Sequence, residues 1–200
     1  WLSGKALLDL RNFKDASSLK AKTTSIYFKD EKIFFDGLIP QSTKIEVVFP
    51  TIHGTFGEDG TLQGLLEMMN IPYVGSGVTA SAVGMDKIMQ KDVFAANGLP
   101  TVPYVWFNRE EWSASEIEKK LKYPMFVKPA NLGSSVAITK VNNRKELVKA
   151  VNLAVLFDRR IIIEKGMEDI IEVNCSIMGY KVMEVSICEH PIRSSEMLSY

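Results

Sequence analysis

The chain has 200 residues, of which 46% are hydrophobic and 24% charged, so it has enough apolar material for one globular core or two small ones. Lysine plus arginine and aspartate plus glutamate number 24 each, which leaves no basic excess to hold a nucleic-acid backbone. With only Cys175 and Cys188, no CxxC pair and no apolar stretch of roughly 20 residues, the sequence predicts a cytoplasmic protein without zinc, disulfides or membrane spans.

The first 85 residues alternate between strand and helix signals. Two short apolar runs, 25–28 and 32–35, predict a β-hairpin. The β-branched run 45–49 stops at a proline and predicts a buried strand. Apolar residues at helical spacing predict a helix over 62–69, and 72–74 predicts the next strand. Strand, helix and strand make a β-α-β unit, so this half is predicted to be α/β with a parallel sheet.

The rest of the chain is predicted to be richer in strands. A helix over 85–96 ends at Asn97 and Gly98, which are typical helix-ending residues. This half is therefore predicted to be α+β, with a domain boundary near residue 85. The later predicted elements are strands over 102–107, 124–128, 134–141, 160–164, 171–178 and 182–188, and helices begun by capping boxes at Ser113 and Asn143.

The most informative segment is a small-residue loop between two predicted strands, 126–135. Gly133 is followed by Ser134 and Ser135, and such a loop exposes N–H groups and hydroxyls that can wrap a phosphate. Lys128, at the end of the preceding strand, would add a positive charge. The loop predicts a phosphate clamp, and an ordinary hairpin with a solvated lysine fits the same residues equally well.

Two further segments are candidates for nucleotide contacts. Lys87 lies at the start of a predicted helix, where it is either a second phosphate ligand or a surface lysine. The apolar strand that ends at Glu164 runs into Lys165, Gly166 and Met167. A backbone carbonyl and N–H in this turn could pair with the edge of an adenine.

Two polar segments predict substrate contacts. Glu172 and Asn174 lie on one face of a predicted strand, since side chains alternate with period two, and a carboxylate there could accept hydrogen bonds from ribose hydroxyls. His53 opens a glycine-containing loop, 53–60, that follows the carboxyl end of a predicted strand. Loops at that edge of α/β sheets commonly bind ligands, although a single histidine is more often structural.

In chain order, these motifs resemble those of D-alanine–D-alanine ligases, which are members of the ATP-grasp superfamily. The resemblance covers roughly residues 45–200. Each motif alone is common, and the strength of the resemblance comes from five of them in the same order with similar spacing. They are the segments 53–64, 72–77, 85–87, 126–135 and 164–165.

The resemblance implies an ATP-dependent, ADP-forming carboxylate–amine ligase of peptidoglycan precursor synthesis. In this family the γ-phosphoryl group of ATP is transferred to a D-alanine carboxylate, and the amine of a second D-alanine attacks the acyl phosphate, with Mg2+ bridging the phosphates. The full-length protein is expected to be a homodimer. The implied division is a partial N-terminal α/β substrate domain (1–85), an ATP-grasp central or lid subdomain (86–166) and the start of a C-terminal ATP-grasp subdomain (167–200).

The resemblance also implies a role for each matching residue. Catalytic contributions fall to His53, near the first D-alanine, and to Ser134 in the lid. The implied nucleotide-binding residues are Lys87, Lys128, Gly133, Ser134 and Ser135 around the phosphates, Glu164, Lys165 and Met167 around the adenine, and Glu172 at the ribose.

Some parts of the family pattern have no match. The first glycine-rich turn with its substrate-binding Glu is absent, and the Mg2+-binding Arg-x-Asp and Asn-Glu-x-Asn would lie beyond Tyr200, so no metal ligand is assigned. The chain is therefore predicted to be an internal fragment that is inactive alone. The residues that select D-alanine, D-serine or D-lactate as second substrate are also expected beyond Tyr200. Ala137 stands where the lid strand of the family usually has Gly.

Two alternatives come from other functional classes. Residues 75–80 fit a GxGxxA fingerprint of NAD-dependent oxidoreductases, but that fingerprint needs an acidic residue about 20 positions later, and residue 97 is Asn. The other alternative is a nucleotide-binding module that does not catalyse a reaction.

Overall fold

The computed structural model describes residues 26–29, 32–35, 41–133, 136–167 and 170–191. Contacts divide the chain into two compact units, with residues 1–52 and 56–81 in unit 1 and residues 53–55 and 82–200 in unit 2. None of the helices built from the described residues has the length and apolar character to cross a membrane. The domain boundaries placed at residues 85 and 166 remain predictions.

Unit 1 contains a three-stranded antiparallel sheet. Its strands are β1 (Ile26–Lys29), β2 (Lys32–Phe35) and β3 (Gln41–Lys44), in that order across the sheet. The predicted hairpin is confirmed, with β1 displaced by one residue, and its register pairs Ile26 with Phe35. β3 is polar throughout, so the hydrophobic pattern did not predict it.

The buried strand predicted over 45–49 is wrong in length and in burial. Within the part of the chain that the structure describes, Val48 is the one residue of this run that is paired, through a parallel bridge to Tyr73 made by two hydrogen bonds of 2.8 and 2.9 Å. The parallel direction agrees with the predicted β-α-β unit. Pro50 and Pro72 flank the bridge and have no N–H with which to extend it, and the residues on either side of Val48 are exposed.

Three helices follow in the chain. The first, α1 (Thr61–Met68), is the helix predicted over 62–69, displaced by one residue. The single helix predicted over 85–96 is wrong at its start, because the structure has α2 (Val78–Met85) and α3 (Lys87–Ala96) separated by Asp86. The extended backbone of Asp86 ends α2, and its carboxylate accepts hydrogen bonds from two N–H groups in the first turn of α3. Asp86 is thus the N-cap of α3.

Unit 2 is built on a four-stranded antiparallel sheet with two helices on one face. The elements, in chain order, are β4 (Tyr104–Asn108), α4 (Ala114–Lys120), β5 (Met125–Pro129), β6 (Thr139–Val141), α5 (Arg144–Ala154) and β7 (Arg160–Lys165). The strand order across the sheet is β4-β7-β5-β6. The strand predicted over 134–141 therefore begins only at Thr139, and Ser134 and Ser135 lie outside the described residues.

The core of unit 2 lies between the sheet and helices α4 and α5. α5 has the predicted inward face, and its cap is confirmed because the Asn143 side chain accepts a hydrogen bond from the N–H of Glu146. α4 starts after Ser113 as predicted, but no side-chain hydrogen bond of a capping box forms there. Fully buried core residues are Met125, Val127, Val141, Leu147, Val151, Ala154, Ile161 and Ile163.

The opposite face of this sheet carries α3. Side chains alternate along a strand, so Lys128 of β5 and Ile162 and Glu164 of β7 point away from the core described above. On that face Ile88 of α3 packs against Ile162 and Ala130, all three of which are buried. This small cluster fixes the helix start that carries Lys87 against the face that carries Lys128.

The strands predicted over 171–178 and 182–188 are much shorter in the structure. β8 (Ile177–Gly179) and β9 (Met183–Val185) form a two-stranded antiparallel ribbon, and one separate bridge joins Asn174 to Glu189. Both strands are exposed along their length. A two-stranded ribbon buries little apolar surface, so the pairing does not extend along the apolar sequence on either side.

Ala137 has a φ of +56°, in the left-handed region that favours glycine. The left-handed conformation costs roughly 1–2 kcal/mol, and part of the gain from glycine is lost to its larger unfolded-state entropy. We therefore expect Ala137→Gly to raise the free energy of unfolding by about 0.5–1 kcal/mol. Urea unfolding followed by tryptophan fluorescence measures this change.

Ala82→Gly is the matched control. Ala82 is exposed and lies inside α2, where the same substitution is expected to lower the free energy of unfolding by about 1 kcal/mol. If Ala137→Gly and Ala82→Gly lowered the free energy of unfolding equally, the left-handed backbone at Ala137 would not be a source of strain.

Candidate phosphate-binding site

Three lysines and one glutamate of unit 2 lie on the face of the sheet that carries α3. Lys87 and Lys91 are one turn apart on α3, which places them on the same side of the helix. Lys128 and Glu164 belong to the adjacent strands β5 and β7, where Lys128 is directly opposite Ile162 and therefore diagonal to Glu164. Long side chains can meet across such a diagonal.

Glu164 is shared between two of these lysines. Its Oε1 lies 2.9 Å from Nζ of Lys91, and its Oε2 lies 2.5 Å from Nζ of Lys128. The residue is only 8% exposed. Burial raises the pKa of Glu164, but the charges and hydrogen bonds of Lys128 and Lys91 outweigh that effect and hold the pKa below its ordinary value. The carboxylate is thus ionised at neutral pH.

Lys87 is bound to the small-residue loop. Its backbone N–H donates to the carbonyl of Ala130 at 3.0 Å, and its ammonium donates to the carbonyl of Leu132. Burial lowers the pKa of Lys87, the positive charge of Lys128 lowers it further, and nearby carboxylates offset only part of this. The structure therefore brings Lys87 and Lys128 to one place beside the loop. A bound anion there would favour the charged form of Lys87.

The base of the loop is held by Asp158. One of its carboxylate oxygens accepts hydrogen bonds from the N–H and the side-chain amide of Asn131, at 2.8 and 3.1 Å. The other accepts from the N–H of Arg160 at 3.0 Å. Arg160 in turn donates through its guanidinium to Asp86, the N-cap of α3. These contacts fix the start of α3 and the start of the loop to the same end of β7.

The tip of the predicted clamp is described in part. Gly133 is half-buried, and its carbonyl accepts a hydrogen bond of 3.3 Å from the N–H of Val136, which joins the two sides of the loop. A Cβ on Gly133 would lie 3.8 Å from Cα of Gly54, so residues 53–55 approach the loop within unit 2. The predicted phosphate contacts of Ser134 and Ser135 fall outside the described residues.

The end of β7 and the turn after it carry the residues predicted to surround the adenine. The side chains of Glu164 and Lys165 point to opposite faces of β7, and Glu164 is held by lysines. The N–H of Lys165 donates to the carbonyl of Pro103 at 2.9 Å, and the N–H of Gly166 donates to the carbonyl of Pro124 at 2.7 Å. A backbone N–H that pairs with an adenine in this turn would therefore have to come after Gly166, and the adenine contacts of Glu164, Lys165 and Met167 stay predictions.

Two further predicted site residues, Glu172 and His53, are not part of the cluster formed by the three lysines and Glu164. Glu172 is not on a regular strand, which corrects the strand predicted for it, and its carbonyl oxygen lies 2.8 Å from Nδ1 of His190. His53 is exposed in the loop before α1. The ribose contact of Glu172 and the substrate contact of His53 stay predictions. Among the described residues, no group of three metal-ligating side chains comes together.

Sequence reasoning missed Lys91 and the ion pair of Asp86 with Arg160. The spacing of Lys87 and Lys91 was a usable signal, because residues four apart share one side of a helix. Asp86 is a residue type that favours the N-cap, and that was a second signal. Nothing in the sequence indicated Arg160, which lies 74 residues from Asp86.

Two family profiles match the chain. The profile described as D-ala D-ala ligase N-terminus matches residues 1–76, and the one described as D-ala D-ala ligase C-terminus matches residues 93–200. The chain is 46% identical over 173 residues to a D-alanine–D-alanine ligase of Listeria monocytogenes, which covers 83% of this chain and 47% of the relative. A D-alanine–D-alanine ligase of Solibacter usitatus is 49% identical over 156 residues, or 78% of this chain and 48% of the relative. The chain thus spans about half the length of these curated relatives.

The chain is also similar to solved structures of D-alanine–D-alanine and D-Ala:D-Ser ligases. The VanG D-Ala:D-Ser ligase of Enterococcus faecalis superposes with a TM-score of 0.82 at 32% identity, covering 99% of this chain and 57% of the other. The D-alanine–D-alanine ligase of Coxiella burnetii superposes with a TM-score of 0.78 at 32% identity, covering 87% and 52%. These structures support the mixed α/β fold predicted from the sequence.

Proposed function

The chain belongs to the D-alanine–D-alanine ligase family, and on this premise we propose that it carries the ATP-phosphate site of an ADP-forming ligase that joins two D-alanines for peptidoglycan synthesis. The observation that carries the proposal is the meeting of Lys87 and Lys128 beside the loop that leads to Gly133. The VanG likeness supports a D-alanine–D-serine ligase as the second candidate. The family profiles do not support an NAD-dependent oxidoreductase, the alternative based on residues 75–80, because both describe a ligase.

The charge of the site fits a polyphosphate. Lys87, Lys91 and Lys128 bring three positive charges, and Glu164 brings one negative charge. All four are at least partly buried, where the surrounding protein weakens electrostatic interactions less than bulk water does. An entering triphosphate would neutralise this excess of positive charge and would oppose the lowering of the Lys87 pKa.

The chemistry asks for fixed positive groups around the transferred phosphoryl group. Negative charge spreads over its oxygens in the transition state, and preorganised ammonium groups and backbone N–H groups stabilise that charge. Lys87 and Lys128 are suited to this task because their positions are set by the loop carbonyls and by Glu164. Mg2+ is expected to accompany ATP, and it would add positive charge beside the transferred phosphoryl group.

The wider proposals follow from the family. Substrates are D-alanine and ATP, the full-length protein is a cytoplasmic homodimer, and neither nucleic acid nor a membrane is a partner. Phosphoryl transfer would use His53 near the first D-alanine and Ser134 over the phosphates.

The proposal is tested by nucleotide binding and by turnover. Titration of the 15N-labelled chain with a non-hydrolysable ATP analogue is expected to shift the amide signals of Lys87, Lys91, Lys128 and Gly133, whereas NAD is expected to leave them unchanged. A coupled ADP-release assay with D-alanine is expected to give no turnover by the 200-residue chain. Absence of shifts at millimolar nucleotide would overturn the phosphate site, and clear turnover would mean that the metal-binding residues lie within this chain.

A further inference from the structure

Lys91 has a fixed place in the site, beside Glu164 and Tyr104. Its ammonium lies 2.9 Å from Oε1 of Glu164 and 5.3 Å from the ring centroid of Tyr104. The Lys91 side chain is only 12% exposed. Tyr104 is held in turn by a hydrogen bond of 2.6 Å from its hydroxyl to Asp92, the next residue on α3. Lys91 is thus packed against β4 and paired to β7 at once.

The two carboxylate oxygens of Glu164 serve different lysines. Oε1 is bound by Lys91, and Oε2 is bound by Lys128. Lys128 is the less buried of the two lysines, with 22% of its side chain exposed against 12% for Lys91. Of the two lysines that hold Glu164, Lys128 is therefore the one more accessible to a ligand from solvent.

We propose that Lys91 is a positioning residue that keeps Glu164 paired while Lys128 turns to the ATP phosphates. An ionised carboxylate with 8% exposure is costly to leave without a partner. Lys128 can be released to a phosphate at low cost only if another cation stays on Glu164, and Lys91 is that cation. This inference rests on the proposed function, because it needs nucleotide phosphates beside Lys87 and Lys128.

Removing the Lys91 ammonium should weaken nucleotide binding without any lost contact to the nucleotide. In Lys91→Met, Glu164 keeps Lys128 as its remaining lysine partner, so turning Lys128 to a phosphate leaves a buried charge unpaired. We expect the dissociation constant for a non-hydrolysable ATP analogue to rise about tenfold, which corresponds to the loss of one charged hydrogen bond. Lys91→Arg, which keeps the charge, should recover most of the affinity. Lys149→Met, on the exposed side of α5, is the matched control and should bind as the unsubstituted chain does.

A double-mutant cycle separates positioning from direct binding. Glu164→Gln removes the charge that Lys91 compensates, so Lys91→Met should cost little further affinity in that background. NMR titration supplies the dissociation constants, and the unfolding midpoint of each variant confirms that it is folded. A tenfold loss that persists in the Glu164→Gln background would overturn the inference, as would wild-type affinity in Lys91→Met. If the unsubstituted chain binds no nucleotide, the proposed function falls and this inference with it.

Discussion

Lys128→Met is expected to weaken the affinity of the chain for ATP by about 100-fold, because it removes a charge-assisted hydrogen bond to phosphate from a partly buried site. In a ligase that contains this site, the rate should fall on the order of 10²-fold or more, since the same ammonium would stabilise charge in the transition state. The unfolding midpoint should change little, because Glu164 still pairs with Lys91. NMR titration with a non-hydrolysable ATP analogue measures the affinity.

The control for this prediction is a lysine of the same unit outside the cluster. Lys149→Met removes the same ammonium from the exposed side of α5 and should leave nucleotide affinity unchanged. Lys128→Arg keeps the charge but changes its shape, and it should lose less affinity than Lys128→Met. Equal affinity of Lys128→Met and the unsubstituted chain would remove Lys128 from the phosphate site.

Lys87 and Lys128, the two proposed phosphate ligands, could be singled out from the sequence because each is adjacent to a recognisable motif. Lys128 precedes a glycine–serine loop, and Lys87 starts a helix within the segment 85–87 that fits the family. That the two lysines lie close together depends on tertiary packing, because it is set by Ile88 packing on Ile162 and by the register of β5 with β7. Lys91 has no such motif, and its part in the site depends on which side of α3 faces the sheet.

Strand lengths were the least predictable part of the fold. An apolar, β-branched run indicates a capacity to form a strand, whereas a ladder also needs a neighbour with free N–H and carbonyl groups. Among the described residues, the run 45–49 pairs at Val48, and the pairing is limited by Pro50 on one segment and Pro72 on the other. The runs over 171–178 and 182–188 pair over three residues in each strand and at the single bridge of Asn174 with Glu189. By contrast, β5 and β7 have partners along their length, and their predicted positions are confirmed within one residue.

Asp86→Ala is expected to lower the free energy of unfolding by about 2–3 kcal/mol, the largest stability effect among these substitutions. The N-cap contributes about 0.5–2 kcal/mol, because the carboxylate accepts two hydrogen bonds from the first turn of α3. Losing the ion pair leaves Arg160 without this partner, and we discount the penalty for a fully buried charge because the Arg160 side chain is 31% exposed. Urea unfolding followed by tryptophan fluorescence measures the change.

Two variants divide this effect into its parts. Asn143→Ala removes the N-cap of α5 without an ion pair and should cost about 1 kcal/mol. Asp86→Asn keeps an oxygen that can cap α3 but removes the charge that faces Arg160. Its loss of free energy of unfolding should therefore lie between those of Asn143→Ala and Asp86→Ala. If Asp86→Ala costs no more than Asn143→Ala, then the ion pair contributes nothing to stability.

Because Asp86 sets the start of α3, Asp86→Ala should also weaken nucleotide binding through Lys87 and Lys91. Unchanged affinity would mean that Ile88 alone holds the helix in place.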